Sequence, residues 1–260
     1  MRVPLTLTRE PSGAAILAIA APPLNLYSLD LHRKFEEALD DLAVRPPRAL
    51  LIRAEGTVVS GGVDVSLFDS QTSAADGKIL FDRMLELPLR VAALDYPVVF
   101  AAHALCLTWA FELALACDLI VASERARFGL VEKVVGLTPT MGGTQRLAAR
   151  AGIGRAKELV MTGDLYDAAT LARWGVVNRV HPADELDDAV TELVTTLAAG
   201  PTRAHAATKA VLRAVERGGV AAADDEITAI AAALYDTEDM RAAIRSFLED
   251  GPGKATYVGR

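Results

Sequence analysis

Apolar residues recur along the chain in two rhythms, and the rhythms divide it into elements. Short apolar runs bounded by proline, glycine or charge read as buried strands: Val3–Leu7, Ala14–Ala20, Ala49–Arg53, "YPVVFAAHA", "DLIVAS", part of "RARFG" and "VVNRVH". Between them the spacing turns helical. "LDLHRKFEEALDDLA" carries its apolar residues at helical intervals, and Ser28 stands where a cap belongs. A second helix is expected from Gly77 to Leu94, kinked or broken by Pro88. "RAKELVMTG" and "DAATLARWG" read as short helices ending at glycines, and a further helix starts after Gly142–Gly143. Two stretches, "RALLIRAEGTVVSGGVD" and "YPVVFAAHALCLTWAFE", each run from an apolar strand into a turn, so two strand ends could present turn backbone side by side.

From about Asp184 only helical patterns follow, in an alanine-rich composition, ending in the tail "GPGKATYVGR". The expected division is a strand-and-helix core over residues 1–195 and a helical portion over 196–260. With 260 residues, 52% of them hydrophobic, the chain can bury a full-sized core. A net charge of −7 and the lack of a basic run argue against a nucleic-acid partner. Cys106 and Cys117 fit no zinc or redox spacing and read as small buried hydrophobes in a reducing compartment. The uncharged run Val98–Phe111 is about 14 residues with His103 neutral, short of the ~20 a membrane span needs. "MRVPLTLTRE" has no signal-peptide core, so the expectation is a soluble cytoplasmic protein.

Chemistry is sought where the pattern is violated. Glu112 lies in "TWAFELALAC", a helix apolar on every side and therefore buried. Burial raises a carboxyl pKa toward neutrality, where the group can move protons, although a Glu bonded to backbone or arginine explains the position equally. Glu132 lies in the apolar "FGLVEKVVGL"; beside Lys133 it also reads as a solvated loop residue. Two lone carboxylates in different surroundings can divide acid and base work. "SGGVD" can form a tight turn with free N–H groups, and Asp64 reads first as a turn stabiliser. No phosphate loop, dinucleotide fingerprint, G-x-S-x-G or metal spacing occurs, so no cofactor and no metal are expected.

In order, "PPLNLYS", "VVSGGVDV", "AAHALCLTWAFELALACDLIVASERARFG", "VEKVVGLTPTMGGTQRLAARAGIGRAKELVMTGD", "DAATLARWGVVNRV" and "FLEDGPGKATYVGR" resemble the enoyl-CoA hydratase/isomerase family, the crotonase superfamily, over nearly the whole chain. The resemblance implies an α/β fold, a spiral of ββα turns with a C-terminal helical portion, and assembly as a homotrimer or homohexamer. It implies an acyl-CoA thioester as substrate. Its oxygen would be held by the backbone N–H groups of Val63 and Trp109, with Leu26, Gly61, Gly62, Asp64, Val65 and Ser66 lining the site. Glu112 would activate a water and Glu132 would protonate the α-carbon, giving enoyl-CoA hydration. A Δ3-Δ2-enoyl-CoA isomerase using Glu132, or a non-catalytic acyl-CoA binding protein, are the other readings.

Three departures stand out. Many members carry a glycine triplet where this chain reads Thr108-Trp109-Ala110. The indole is expected to narrow the acyl pocket, line its floor or shift the donor, and Trp109 would be strained if its position required a positive φ. Val131 stands where many members have proline. Ser66 stands where hydratases often have lysine, which leaves the CoA phosphates to other cations, Lys254 among the candidates.

Overall fold

The computed structural model describes residues 4–260. Its first strand, β1 (Leu5–Arg9), pairs antiparallel with β2 (Ala14–Ile19); Val3, placed in that strand from sequence, lies outside the described residues. Ser28 caps α1 (Leu29–Val44) as expected, its hydroxyl accepting from Leu31 N. β3 (Ala49–Ala54) follows. A short helix α2 (Ser66–Asp69) and a long one α3 (Ala74–Ala92) come next. Pro88 does not break α3, which runs on to Ala92 with Pro88 buried on its inner face. Packing of Leu80, Met84, Leu87 and Val91 holds the helix across the missing N–H.

β4 (Val98–Ala102), β5 (Leu105–Leu107) and α4 (Trp109–Ala116) form one compact turn of the fold; β6 (Leu119–Ser123) and β7 (Arg127–Gly129) start the next. The sequence pattern passed straight from β4 to the helix and missed β5. A 3-10 turn at Glu132–Val135 then leads to α5 (Gly143–Ala151), α6 (Ile153–Thr162), β8 (Tyr166–Asp167), α7 (Ala168–Arg173) and β9 (Arg179–His181).

The six-stranded sheet has the order β1-β2-β3-β4-β6-β9, parallel from β2 onward. A small sheet, β5-β7-β8, stands beside it, and Ser60 joins β5 through a parallel bridge to Cys106. Each turn of the chain thus gives one strand to the large sheet and one to the small one before its helix, which is the expected ββα spiral. The two similar stretches noted in the sequence are successive turns of it, paired Leu50 to Val98 and Ser60 to Cys106.

Both faces of the large sheet are covered, which is why its strands read as continuous apolar runs. Val98, Phe100 and Ala102 face α1, α3 and α4; Val99 and Ala101 face α8 (Leu186–Ala199) through Leu186, Val190 and Val194. After α8 the chain forms α9 (Thr202–Ala232), bent at Gly218–Gly219, and α10 (Glu238–Asp250). Lys209 and Arg213 fasten α9 to Asp118 and Asp95. The tail returns to α10, where buried Asp239 accepts from Val258 N and Gly259 N.

Bonds to a charged acceptor are worth about 1.5–3 kcal/mol each, and removing the acceptor leaves two amides unpaired. Asp239→Ala should therefore lower stability by a few kcal/mol and release residues 251–260 first. Hydrogen exchange should show that tail losing protection while the sheet keeps it.

Candidate active site

Two turns and two glutamates meet at one end of α4. The first turn, residues 60–64, is fixed by backbone. Gly61 N donates to Leu24 O, Tyr27 N to Gly62 O and Asp64 N to Tyr27 O. Gly62 has φ +119, a conformation only glycine adopts readily, and its N–H donates to Ser60 Oγ. Every amide of this turn is used except that of Val63, which meets no acceptor among the described residues.

The second turn is residues 107–109. Leu107 N donates to Ser60 O and Thr108 N to Gly129 O, while the N–H of Trp109, the first residue of α4, meets no acceptor among the described residues. A helix start leaves such donors free. The two turns touch: a Cβ on Gly62 would lie 3.3 Å from Thr108 Oγ1. The spiral thus sets the free amides of Val63 and Trp109 next to one another.

The positive φ that would have strained Trp109 is found one residue earlier, at Thr108, with φ 48 and ψ −118. Trp109 itself is helical and carries no such strain. Its indole neither narrows nor lines a pocket. It is fully buried in the core between Tyr27 and Phe35 at centroid distances of 5.9 and 6.0 Å, and Nε1 donates to Ser60 Oγ at 2.7 Å.

Glu112 is 2% exposed, as the apolar helix around it required. Its Oε2 accepts from Met141 N at 2.8 Å and Gly143 N at 2.7 Å. Both amides lie at the start of α5, whose cap residue Gly142 has no side chain to offer, so Glu112 caps α5 from another helix. Gly143 makes room: a Cβ there would sit 2.7 Å from Glu112 Cγ. Oε1 accepts no bond from the described residues and is not sealed in. The bland reading of Glu112, a carboxylate satisfied by backbone, is therefore true of one oxygen only.

Glu132 opens the 3-10 turn, half-buried, and is no solvated loop residue: its Oε2 is enclosed with no partner. Burial pushes Glu132 up to about 7. Burial, then the charge of Glu132, pushes Glu112 up to about 8, against the amides of Gly143 and Met141 and the Arg146 guanidinium. The repulsion is mutual and belongs to the pair. What distinguishes the partners is their donors: Glu112 has two amides that favour its charge, and Glu132 Oε2 has none.

The other expected site residues divide. Gly61 and Gly62 build the first turn, and Leu26 is half-buried beside it. Asp64 spends a carboxylate oxygen on Ser66 N and Oγ, as a turn stabiliser does; Val65 and Ser66 are exposed. Sequence reasoning missed Asn25, Ser60, Met141 and Gly143. Asn25 is fully enclosed, takes Ala21 N on Oδ1 and gives Nδ2 to Glu55 O and Val58 O. Only the glycine pair 142–143 left a mark that could have been read. Clefts of about 400 and 570 Å3 lie among α9, α10 and the tail and touch neither glutamate nor either turn. Among the described residues no cluster could hold a metal, and no helix is long and apolar enough to cross a membrane.

The family model described as enoyl-CoA hydratase/isomerase matches residues 9–256. A "probable enoyl-CoA hydratase" of Bacillus subtilis is 32% identical over 165 residues, 63% of this chain and 64% of that one. A short-chain-enoyl-CoA hydratase of Clostridium acetobutylicum is 34% identical over 163 residues, 62% of this chain and 61% of that one. The chain thus spans a little under two thirds of these relatives' length. The crystal structure of an enoyl-CoA hydratase from Mycobacterium smegmatis superposes with a TM-score of 0.89 at 26% identity, covering 95% of this chain and 96% of that one.

Two outcomes follow from this geometry. Gly143→Ala should destabilise by about 1–3 kcal/mol in urea unfolding, although alanine favours a helix, because the new methyl meets Glu112. In a Glu112→Ala background the cost should shrink. The raised carboxyls also set a pH dependence. A carboxyl whose pKa is raised on folding contributes stability at low pH that is lost as pH rises through its folded value. Between pH 4.5 and about 8 the advantage of wild type over Glu112→Gln should fall by up to about 1.4 kcal/mol per pH unit, read as paired melting curves.

Proposed function

The chain belongs to the enoyl-CoA hydratase/isomerase family, and from that premise we propose that it adds water reversibly to a trans-2-enoyl-CoA, giving a 3-hydroxyacyl-CoA. One observation carries the reading: two enclosed glutamates, both raised to near neutrality, stand at the helix whose first amide is free beside a second free amide.

The thioester oxygen accepts from Val63 N–H and Trp109 N–H. Electron density drawn toward it leaves the β-carbon electron-poor. Glu112, ionised and steadied through Oε2, takes a proton from water on Oε1 while the hydroxide adds to the β-carbon. Negative charge collects on the thioester oxygen, where fixed donors oppose it without rearrangement. Glu132, protonated, gives its proton to the α-carbon. Water has then contributed hydroxide to one carbon, Glu132 a proton to the other, and the proton left on Glu112 restores the pair by exchange.

Isomerisation of a 3-enoyl-CoA needs a single base, and the enclosed, unpaired Oε2 of Glu132 keeps that second reading in view. A non-catalytic binding role would rest on the altered Thr108-Trp109-Ala110 turn, and there the indole lies in the core rather than across the free amide. A cytoplasmic setting and a homotrimeric or homohexameric assembly belong to the same proposal and rest on the resemblance.

Loss of conjugated-thioester absorbance on incubation with crotonyl-CoA tests the reaction. Glu112→Gln and Glu132→Gln should each slow hydration by about 10²–10⁴-fold, the usual worth of a general acid or base, with binding retained. kcat/KM should follow a bell with both limbs near neutrality, since the pair works with one proton. Full hydration by Glu112→Gln would end the proposal; isomerisation of a 3-enoyl-CoA surviving in that variant, without hydration in wild type, would establish the second reading.

A further inference from the structure

The Trp109 side chain is too well placed to be filler. Ser60 Oγ, fully buried, accepts from Trp109 Nε1 at 2.7 Å and from Gly62 N at 3.0 Å, and donates to Asn25 O at 2.9 Å. A hydroxyl has one proton and two lone pairs, so these three bonds saturate it. One of its partners directly precedes Val63, and the other is the side chain of the residue that owns the second free amide. The two free amides are therefore joined through Ser60 Oγ, from the Trp109 indole to Gly62, with Nε1 also reaching Asn25 O at the longer distance of 3.3 Å.

Thr108 makes this arrangement possible. Its φ of 48 turns the chain so that the Trp109 N–H stays unpaired while the indole enters the core. A β-branched residue in that region is strained and persists only where its surroundings fix it. The indole between Tyr27 and Phe35 supplies that fixing, and Thr108 in turn lies against Gly62.

We propose that Trp109 and Ser60 are positioning residues: their hydrogen bond is a brace that sets the separation and aim of the Val63 and Trp109 amides toward a thioester carbonyl. This rests on the oxyanion role given to those amides above. Donors must lie within about 2.7–3.1 Å of the oxygen that gains charge, and a misplacement of about 1 Å can cost ~10²-fold. A glycine at position 109 would have no side chain to anchor, so the brace is a property of this chain's own residues.

The test uses 4-aminocinnamoyl-CoA, a push–pull thioester whose absorbance moves to longer wavelength when its carbonyl accepts hydrogen bonds. Trp109→Phe keeps a ring between Tyr27 and Phe35 and removes Nε1–H. Ser60→Ala removes the shared oxygen by a separate route. Wild type should red-shift the bound probe. Each variant should lose most of that shift and lower kcat on crotonyl-CoA by about tenfold or more, with KM nearly unchanged. The loss in the double variant should fall well short of the sum of the single losses, because both variants break the Ser60–Trp109 bond. A full shift and full kcat in either single variant, or additive losses in the double, would overturn the brace. So would a wild type that binds the probe without a shift or fails to bind it. A wild type that shifts the probe but does not hydrate crotonyl-CoA would remove the hydration reading alone, and loss of the shift in the variants would still uphold the brace.

Discussion

Everything at the candidate site depends on one carboxylate oxygen. Glu112 Oε2 holds the amides of Met141 and Gly143, and through them the start of α5 is fixed to the middle of α4. The acid thereby caps a helix that has no cap of its own and gains partial positive charge in return. A carboxylate in so apolar a helix would otherwise be a pure cost. Sharing the duty between its two oxygens resolves the conflict: one is structural and immobile, and the other stays unpaired.

The same economy governs the backbone. In the turn at 60–64, each amide but one is committed to Leu105, Leu24, Ser60 or Tyr27, which leaves Val63 as the one donor there without an acceptor among the described residues. At 107–109 the strand bonds end and the helix bonds have not begun, which leaves Trp109. One vacancy follows the single bridge of Ser60 to Cys106 and the other follows β5, and this parallel pairing between successive turns of the spiral places them together. Free donors are a by-product of the topology; their alignment is what side chains such as Ser60 have to secure.

Much of this was legible in the sequence because it is local. The all-apolar helix announced the burial of Glu112, the apolar runs announced the strands, and Ser28 announced α1. The glycine pair before α5 announced a helix entry but not that Glu112 would complete it. What escaped reading joins residues far apart: Trp109 to Ser60, Asn25 to Glu55 and Val58, Glu112 to Met141. Such bonds leave no period in the chain. Pro88 escaped for a different reason. Propensity describes an isolated helix, and the apolar face of α3 outweighs one missing N–H. The departure from glycine raised the question of strain at Trp109, whereas the chain places the unusual φ one residue earlier, on Thr108.

The unequal surroundings of the two acids carry a last consequence. At close range a buried carboxyl pair holds a single proton near neutrality, since two charges repel and both resist burial. Pairwise repulsion cannot say which partner keeps it. Donors and burial pull in opposite directions: two amides and the Arg146 guanidinium lower the cost of charge on Glu112 while its deep burial raises it, and Glu132 has only its own backbone N–H against its burial. The proposed reaction draws on the form with the proton on Glu132 and the charge on Glu112, and the amides of Met141 and Gly143 stabilise that form. That is the arrangement from which water can be deprotonated on one side and carbon protonated on the other. The amides at the start of α5 favour that polarity of the proposed reaction, against the deeper burial of Glu112.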